Sequence, residues 1–571
     1  MILTKLTLVR SLALVKVLGL TLPILAIAPF NHPRAIAQTL DDQTEPPPKP
    51  PETIPAPETF ILPPSSPLLP PESNPEGTFS VKKYKVTEST VFSDAEFDAV
   101  TREYTGENIT FVEALQARSA VTQLYIDNDY RTSGAYIPIQ TIQDGVLEIK
   151  VVEGRVLNID VEGLQNLNRS YIRDRLTGAL STPLKHTPLE EAIQLLQLDP
   201  LIARVSANLA EGVNPGENIL EVEVKEAPAL RGQIGSNNYR VPSVGSLQGQ
   251  SSLAYANLLG WGDIVNFSYN LSQGSNLWEV KYDLPIAPLD GVLQLRYNQT
   301  SSAIIDSDFQ ILDIESRSRN FEASFHLPLK RSLREEFAIG LTLSHYDNQT
   351  FLQETPFPLT AGAETDGRTR LSAIRFSQEW LKRSETDAIS FLSQFNLGLD
   401  WFDATLNETP PDGHFFSWRG QFQWVHRLAP DLSLSLRSVL QLADRPLLGT
   451  EQLSLGGVST VRGYRQDTLV ADNGFFASIA LQIPLAKIPE RDSALYLSPF
   501  WDYGTVWNNS GGTELERQTL SAIGLSLTWQ TSDRFAIRAD WGIPLIAIDR
   551  VSDVLQDNGW YFSITVNPFN F

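Results

Sequence analysis

The chain has 571 residues and no cysteine, and its 67 Asp and Glu residues outnumber its 45 Lys and Arg residues, which leaves a formal net charge of −22. This acidic balance argues against nucleic acid as a partner, because phosphates require a basic face. The missing thiols exclude disulfides, thiolate metal sites and cysteine nucleophiles. The length is too great for one ordinary core and indicates roughly two to four structural units.

Residues 1–37 have the features of a secretory signal peptide. Three basic residues precede the apolar run VLGLTLPILAIA, and Ala35-Ile36-Ala37 offers small side chains for cleavage before Gln38. The alternative is an N-terminal membrane anchor, although the run is shorter than the roughly 20 residues that a spanning helix needs. Since no later stretch approaches that length, we expect a protein that is either soluble outside the cytoplasm or a membrane β-barrel.

Residues 38–78 form a proline-rich segment that contains PPPKPPETIPAPE and PPSSPLLPPE. Proline recurs too often for helix or sheet, so an extended and solvated backbone is predicted. We interpret the segment as a linker, and a spacer is a simpler interpretation than a docking ligand.

Residues 79–153 predict a first α+β module in the order strand, helix, helix, strand, strand. SVKKYKV is the opening strand, and Ser93-x-x-Glu96 and Thr110-x-x-Glu113 are capping boxes that begin the two helices. The closing strands YIPIQTI and VLEIKVV are separated by Asp144-Gly145, a favoured hairpin turn pair.

Residues 154–228 repeat this plan as a second module. The elements are VLNIDV, a helix across SYIRDRLTGAL, a helix beginning Thr187-Pro188-Leu189-Glu190, and the strands RVSANL and ILEVEV. Pro188 suits the first helical position and Glu190 closes a capping box. Neither module contains a recognisable catalytic group.

Residues 229–571 lose helical periodicity and predict a membrane β-barrel of about 16 antiparallel strands. In LSLSLRSVLQL, for example, the leucines occupy one parity, whereas Ser433, Ser435, Arg437 and Gln441 occupy the other. Short turns alternate with long loops, as in outer-membrane barrels, whereas a soluble sandwich gives no reason for that alternation. Tryptophans lie toward the ends of these segments, where indole rings favour the membrane boundary.

A long polar loop at about 444–473 carries the sequence VRGY, Val461 to Tyr464. In the later strand LYLSPFWDYGTVW, Asp502 has the same parity as Ser498 and therefore points into the lumen. A carboxylate in that position requires a cation, and Arg462 on a loop folded inward could pair with it bidentately. An arginine on an outer loop could otherwise be an ordinary solvated charge.

Val461, Arg462, Gly463 and Tyr464, together with the pattern Phe500-x-Asp502-x-Gly504, resemble motifs of the outer-membrane assembly-factor superfamily. Within it the chain is most similar to the TpsB transporters of two-partner secretion, the hemolysin activator and filamentous hemagglutinin exporter type. The resemblance spans Phe79 to Phe571 and includes two POTRA modules, the segment NLLGWGD at Asn257 to Asp263 in the first barrel hairpin, and a terminal aromatic residue.

This resemblance implies two periplasmic POTRA modules that capture an extended, β-rich secreted partner by strand addition. It also implies a 16-stranded barrel in outer-membrane lipid, an inward loop, and an ion pair between Arg462 and Asp502. Phe571 would be the signal that the barrel assembly machinery reads, and the protein would be a monomer without a cofactor. Relatives often carry a plug helix near the mature N-terminus, but the proline content of 38–78 predicts none here.

Three other functions compete with export. An assembly factor that inserts other barrels is the closest, although such factors commonly have more POTRA modules. A plain porin does not need two modules and an inward loop. An outer-membrane enzyme lacks support because G-x-S-x-G, H-E-x-x-H and P-loop motifs are missing from the sequence and because no two histidines have metal-ligand spacing. The histidines are His32, His186, His326, His345, His414 and His426.

Overall fold

The structure, a computed structural model, describes residues 60–61, 77–286, 290–307, 309–509, 517–532, 534–548 and 554–569. The predicted signal peptide, most of the linker and Phe571 lie outside these residues. The chain divides into two compact units, one of residues 54–227 with 260–262 and the other of residues 228–259 with 263–571.

The helices are α1 (Asp94–Thr101), α2 (Phe111–Asp127), α3 (Arg169–Thr177) and α4 (His186–Gln197), with short 3₁₀ helices at Arg102–Tyr104, Pro242–Val244, Gln310–Leu312, Pro489–Arg491 and Leu555–Asn558. The strands up to residue 226 are β1 (Phe60–Ile61), β2 (Thr78–Val81), β3 (Lys83–Thr87), β4 (Gly106–Thr110), β5 (Gly134–Tyr136), β6 (Val146–Val152), β7 (Arg155–Glu162), β8 (Ile202–Glu211) and β9 (Glu217–Glu226).

The later strands are β10 (Leu230–Asn237), β11 (Gln248–Ala256), β12 (Ile264–Ser272), β13 (Ser275–Ile286), β14 (Gly291–Ala303), β15 (Ile314–Arg331), β16 (Glu335–Leu352), β17 (Thr355–Pro356), β18 (Arg368–Arg383), β19 (Asp387–Leu399), β20 (Phe416–Ala429), β21 (Leu432–Ala443), β22 (Leu453–Leu455), β23 (Leu469–Ala471), β24 (Asn473–Ile488), β25 (Ser493–Trp507), β26 (Gln518–Thr531), β27 (Phe535–Pro544) and β28 (Trp560–Val566).

The first module differs from the prediction at its sheet. SVKKYKV forms two strands instead of one, since β2 pairs with the unpredicted β4 while β3 joins β6 and β5. YIPIQTI is wrong as a strand, because pairing with β6 ends at Tyr136. Pro138 has no N–H to donate. The side-chain carboxamide of Gln140 instead hydrogen-bonds to the backbone of Glu148: Oε1 accepts from Glu148 N at 2.8 Å, and Nε2 donates to Glu148 O at 2.7 Å. The predicted turn is present, with positive φ at Asp144 and Gly145.

The capping box that begins α2 is confirmed. Thr110 Oγ1 accepts from Glu113 N at 3.2 Å, and the Glu113 carboxylate accepts from Thr110 N at 2.7 Å. Hydrogen bonds from the Thr110 backbone and hydroxyl hold the pKa of Glu113 below its usual value. The inner face of α2 is buried at Ala114, Ala117 and Val121, so this helix forms the centre of the module's core.

The start of α4 differs from the prediction. The helix begins at His186 with Lys185 as its N-cap, and no side chain caps it locally. The first-turn amide of Thr187 instead donates to the Asp129 carboxylate at 2.8 Å, and His186 N donates to the Asp129 carbonyl at 3.0 Å. Because the first module supplies this acceptor, the helix starts one residue before the predicted Thr187-x-x-Glu190 box.

Glu226 at the end of β9 orders the turn after β7. Its Oε1 accepts from the backbone amides of residues 165, 166 and 167 at 2.7, 2.9 and 2.8 Å. Partial burial acts to raise the pKa of Glu226, but the backbone donors outweigh it, so the pKa lies below its ordinary value.

The second module's sheet has the order β1-β8-β9-β7, in which Phe60–Ile61 pairs in parallel with β8. Residues 38–78 were predicted to form neither helix nor sheet, and this prediction is wrong at these two residues. Both have an N–H to donate and high β-propensity, unlike the prolines on either side.

Strands β10 to β28 close into an antiparallel barrel, in which β28 pairs with β10 through Ile234↔Val566 to Asn237↔Ser563. Sixteen strands form the wall, β17 is a two-residue addition to β16, and β22 and β23 form a separate small sheet. The predicted membrane barrel of about 16 strands is confirmed.

At most positions of the barrel strands, apolar side chains point outward and polar ones inward. On β25, Trp501 is 45% exposed and Asp502 is 0% exposed. On β26, Leu525 and Leu527 are exposed while Ser526 is buried. This arrangement is the reverse of a soluble core and matches a lipid-facing exterior around a polar lumen.

The end of the barrel at which β10 begins is called the proximal end, and the opposite end the distal end. From β14 onward the predicted alternation of loop lengths is confirmed. Proximal connections are brief, at 332–334, 384–386, 430–431 and 489–492, whereas distal ones are long, at 304–313, 353–367, 400–415 and 444–472. NLLGWGD connects β11 and β12, one hairpin later than predicted, because Leu230–Asn237 forms an earlier strand. Among the described residues, no helix is both long enough and apolar enough to cross a membrane.

Candidate functional site

The loop 444–472, called the lumen loop, leaves β21 at the distal end and returns to β24. Its two arms pair as β22 and β23, from Leu453↔Ala471 to Leu455↔Leu469. Beyond them the chain turns at Gly456 and Gly457. Their φ values of +108° and +96° are ones that residues with a side chain rarely adopt. The turn therefore presents VRGY at the tip of the lumen loop.

Arg462 and Asp502, 40 residues apart in the chain, lie in direct contact. Arg462 Nε donates to Asp502 Oδ2 at 2.7 Å and Nη2 donates to Oδ1 at 2.8 Å. The backbone N–H of Arg462 also donates to Oδ2 at 3.1 Å. Both side chains are buried, at 6% and 0% exposure, so the pair is a bidentate ion pair shielded from solvent.

The guanidinium of Arg462 also contacts the strands on both sides of β25. Nη2 lies 3.2 Å from Ser478 Oγ on β24, and Nη1 lies 3.2 Å from Ser526 Oγ on β26. Nη1 is also 3.6 Å from Asp540 Oδ1 on β27. The Phe500 ring lies beneath the guanidinium, with its centroid 3.3 Å from Cζ, in cation–π geometry. One side chain thus joins four consecutive strands.

The backbone of the tip packs against the wall at two glycines. Gly463 has φ +95°, and a Cβ built there would be 3.0 Å from the Gly542 carbonyl. A Cβ on Gly542 would be 2.5 Å from Gly463 N. On β25, a Cβ at Gly504 would be 2.6 Å from Leu455 Cδ1 and 3.1 Å from Val461 Cγ2. The tip can approach the wall this closely only where side chains are missing.

Tyr464 completes the docking of the tip. Its hydroxyl lies 2.8 Å from Ser521 O and 2.9 Å from Ile546 O, and its own carbonyl accepts a hydrogen bond from the Tyr561 hydroxyl. Val461 is fully buried in an apolar cluster with Tyr464. All four VRGY residues are therefore engaged with the barrel wall.

The structure brings together every predicted site residue except Phe571, which lies outside the described residues. The contributors that were not predicted include Asp540 and Gly542. The sequence of β27, FAIRADWGI, places Asp540 on the polar parity with Arg538, so the alternation that located Asp502 could have located Asp540 as well. Within the described part of the chain, no group of three or more acidic or histidine side chains could hold a metal ion.

The attachment of the tip to the barrel wall is noncovalent. It consists of ion pairs, hydrogen bonds and one aromatic contact, and none of these is covalent. Each of them can break and form again. The lumen loop can consequently be released without breaking a bond of the chain.

Comparison with known proteins places the chain in a family. Residues 216–529 match the family model described as haemolysin secretion/activation protein ShlB/FhaC/HecB, and residues 79–154 match the POTRA domain, ShlB-type. The heme/hemopexin transporter protein HuxB of Haemophilus influenzae is 21% identical, over 78% of this chain and 80% of its own length. The outer membrane transporter CdiB of Dickeya dadantii is 21% identical, over 76% of this chain and 77% of its own length.

Among solved structures, CdiB from Escherichia coli superposes with a TM-score of 0.66 at 20% identity, over 88% of this chain and 93% of that one. The resemblance drawn from the VRGY and Phe500-x-Asp502-x-Gly504 motifs is confirmed at the level of the family. The chain belongs to the haemolysin secretion/activation protein family ShlB/FhaC/HecB, a family of outer-membrane β-barrel transporters with periplasmic POTRA modules.

Proposed function

We propose that this chain exports a secreted partner polypeptide across the outer membrane. The two modules bind the partner in extended form in the periplasm, the barrel is the conduit, and the lumen loop is its gate. The observation that carries the proposal is the noncovalent attachment of Arg462 to Asp502 in the lumen of a closed barrel. A passive pore has no need for two periplasmic modules together with such a loop.

Capture of an extended partner is supported by the second module itself. Strand β8 already pairs in parallel with an extended segment of this chain, Phe60–Ile61, which forms the edge of that sheet. That edge therefore has the geometry for strand addition, in which backbone hydrogen bonds provide affinity and few side-chain requirements are imposed. A long β-rich partner suits such an edge.

Each segment of the chain has a role in this export. Residues 1–37 direct the chain to secretion, 38–78 link, 79–153 and 154–228 are the POTRA modules, and 229–571 is the barrel in outer-membrane lipid. Val461, Arg462, Gly463 and Tyr464 dock the gate onto Phe500, Asp502 and Gly504. Phe571 is read by the barrel assembly machinery, and the transporter acts as a monomer with no cofactor.

The proposal is tested by Arg462→Ala in cells that co-express the chain with a secreted β-rich polypeptide that the parent chain exports. We expect the partner in the medium to fall at least about tenfold, because export in this proposal requires a gate that docks again after each release. Without Arg462 the tip loses an ion pair of the kind worth several kcal/mol when one buried partner is removed. The matched control is Arg296→Gln, whose ion-pair partners Glu279 and Glu322 both lie on barrel strands.

Heat-modifiable migration of the barrel on gels verifies that each variant is folded and inserted. Normal export by Arg462→Ala would refute the gating role. An insertion factor is distinguished by depletion of the chain, since loss of an exporter removes one or two secreted proteins whereas loss of an insertion factor lowers many outer-membrane proteins together.

A further inference from the structure

The lumen loop has a second buried ion pair, 11 residues before Arg462 in the chain. Arg375 on β18 donates to Glu451 of the loop through Nη1 to Oε2 at 2.8 Å and through Nη2 to Oε1 at 2.6 Å. The two side chains are 8% and 6% exposed. The geometry is bidentate, as it is at Arg462 and Asp502, but here the loop supplies the carboxylate and the wall the guanidinium.

The second pair lies on a different part of the wall. In the strand order, β19, β20, β21 and β24 separate β18 from β25. The nearby backbone of the loop is attached there too, since the Glu451 carbonyl accepts from Gln441 Nε2 on β21 at 2.8 Å. Leu447 and Leu448 pack in an apolar cluster whose other buried members are Tyr346, Leu371, Ala373 and Phe415. The first arm of the lumen loop is therefore attached to the wall at β18.

We propose that Arg375 and Glu451 form a second anchor of the lumen loop, so that the gate opens fully only when both ion pairs are released. Arg375 and Glu451 are positioning residues in this scheme. The inference rests on the proposed gating role of the loop, but it concerns how the loop is held and not what passes through the barrel.

Release of one anchor leaves the loop tethered by the other. If only the Arg462 pair breaks, the tip stays within 11 residues of Glu451, and such a short tether keeps it at an effective concentration of about millimolar or above near its site. The tip then rebinds readily. If only the Glu451 pair breaks, the tip still holds its contacts on β24 to β27.

The experiment uses the full chain with a single reporter cysteine. The sequence has no cysteine, so Val458→Cys provides a unique thiol between the two anchors, at a residue that is 8% exposed. The rate at which a membrane-impermeant maleimide labels this thiol measures how often the loop is released. Purified transporter in lipid vesicles is used without any partner, so the result does not depend on export.

We expect Glu451→Gln and Arg462→Ala each to raise the labelling rate about tenfold, as loss of charged hydrogen bonds implies. The labelling rate of the double variant, Glu451→Gln with Arg462→Ala, should exceed the sum of the two single increases by a further factor of about ten. The charge swap Arg375→Glu with Glu451→Arg should return the rate to within about threefold of the parent, which a merely structural effect of either residue would not do. Arg296→Gln is the matched control and should leave the rate unchanged.

An unchanged rate in Glu451→Gln, alongside a raised rate in Arg462→Ala, would overturn the second anchor. A swap that labels as fast as the single variants would overturn it as well. If a variant with one unpaired buried charge does not fold, the neutral pair Arg375→Gln with Glu451→Gln takes its place, because it leaves no unpaired charge. This pair should also raise the rate about tenfold, and parental labelling by the folded neutral pair would contradict the inference.

Discussion

Substitution of Gly542 by alanine tests whether the lumen loop depends on close backbone contact with the wall. The added Cβ would lie 2.5 Å from Gly463 N and 2.7 Å from the Arg462 carbonyl carbon. Ordinary contact between such atoms requires about 3.5 Å or more, so the tip must move by about 1 Å. The Arg462 Nε to Asp502 Oδ2 distance of 2.7 Å would then lengthen beyond the range of a hydrogen bond.

Overpacking typically costs about 1–3 kcal/mol, and we take this as the free-energy cost of displacing the tip. An equilibrium between docked and released loop would shift by about 5- to 150-fold. We therefore expect Gly542→Ala to raise the maleimide labelling rate of the Val458→Cys reporter by that factor in the folded transporter.

Gly249→Ala is the matched control, because a Cβ on this barrel glycine meets nothing within 4 Å. It should label at the parental rate and fold normally. If Gly542→Ala gave parental labelling while migrating as a folded barrel, the tip would not depend on the glycine contact, and the reasoning from distances would be refuted.

Two predictions concern the modules. Because the pKa of Glu226 is lowered in the folded chain, its stabilising effect is complete above the ordinary glutamate value of about 4.3 and is lost as pH falls through the folded pKa. The amide hydrogen-exchange rates of residues 165–167, measured at each pH, should therefore show a step with pH in the parent and no such step in Glu226→Gln. Identical pH profiles in the two proteins would contradict this prediction. Asp129→Ala should weaken the first turn of α4 by about 0.5–2 kcal/mol, as loss of a helix cap does. Faster amide exchange at Thr187 would measure this effect, and Asp127→Ala, at the exposed end of α2, is the control that should leave it unchanged.

Local features of the sequence predicted those parts of the fold that local interactions determine. The box at Thr110 and Glu113 involves residues three apart, and the alternation in β25 requires only a period of two to place Asp502 inside. The start of α4 could not be predicted in this way, because its acceptor, Asp129, belongs to the other module. The prediction of a strand at YIPIQTI was wrong for a local reason. Pro138 has no backbone N–H, so it interrupts the series of donors that a paired strand needs.

The candidate site shows the same division. Arg462 and Asp502 were paired from parity and charge, and Asp540 was within reach of the same argument. The pairing of Glu451 with Arg375 could not be predicted in this way. The two residues are 76 positions apart in the chain, and the sequence around each gives no sign of its partner. Gly542 differs again, since its importance lies in a distance to Gly463 that only the folded barrel defines.

The contact of Arg462 with β24, β25, β26 and β27 has a mechanical consequence. A single guanidinium cross-links four neighbouring strands at one level, so these strands resist shear relative to one another while the loop is docked. Withdrawal of the tip removes that cross-link. In the proposed mechanism the barrel is accordingly stiffer with the loop docked than with the loop withdrawn.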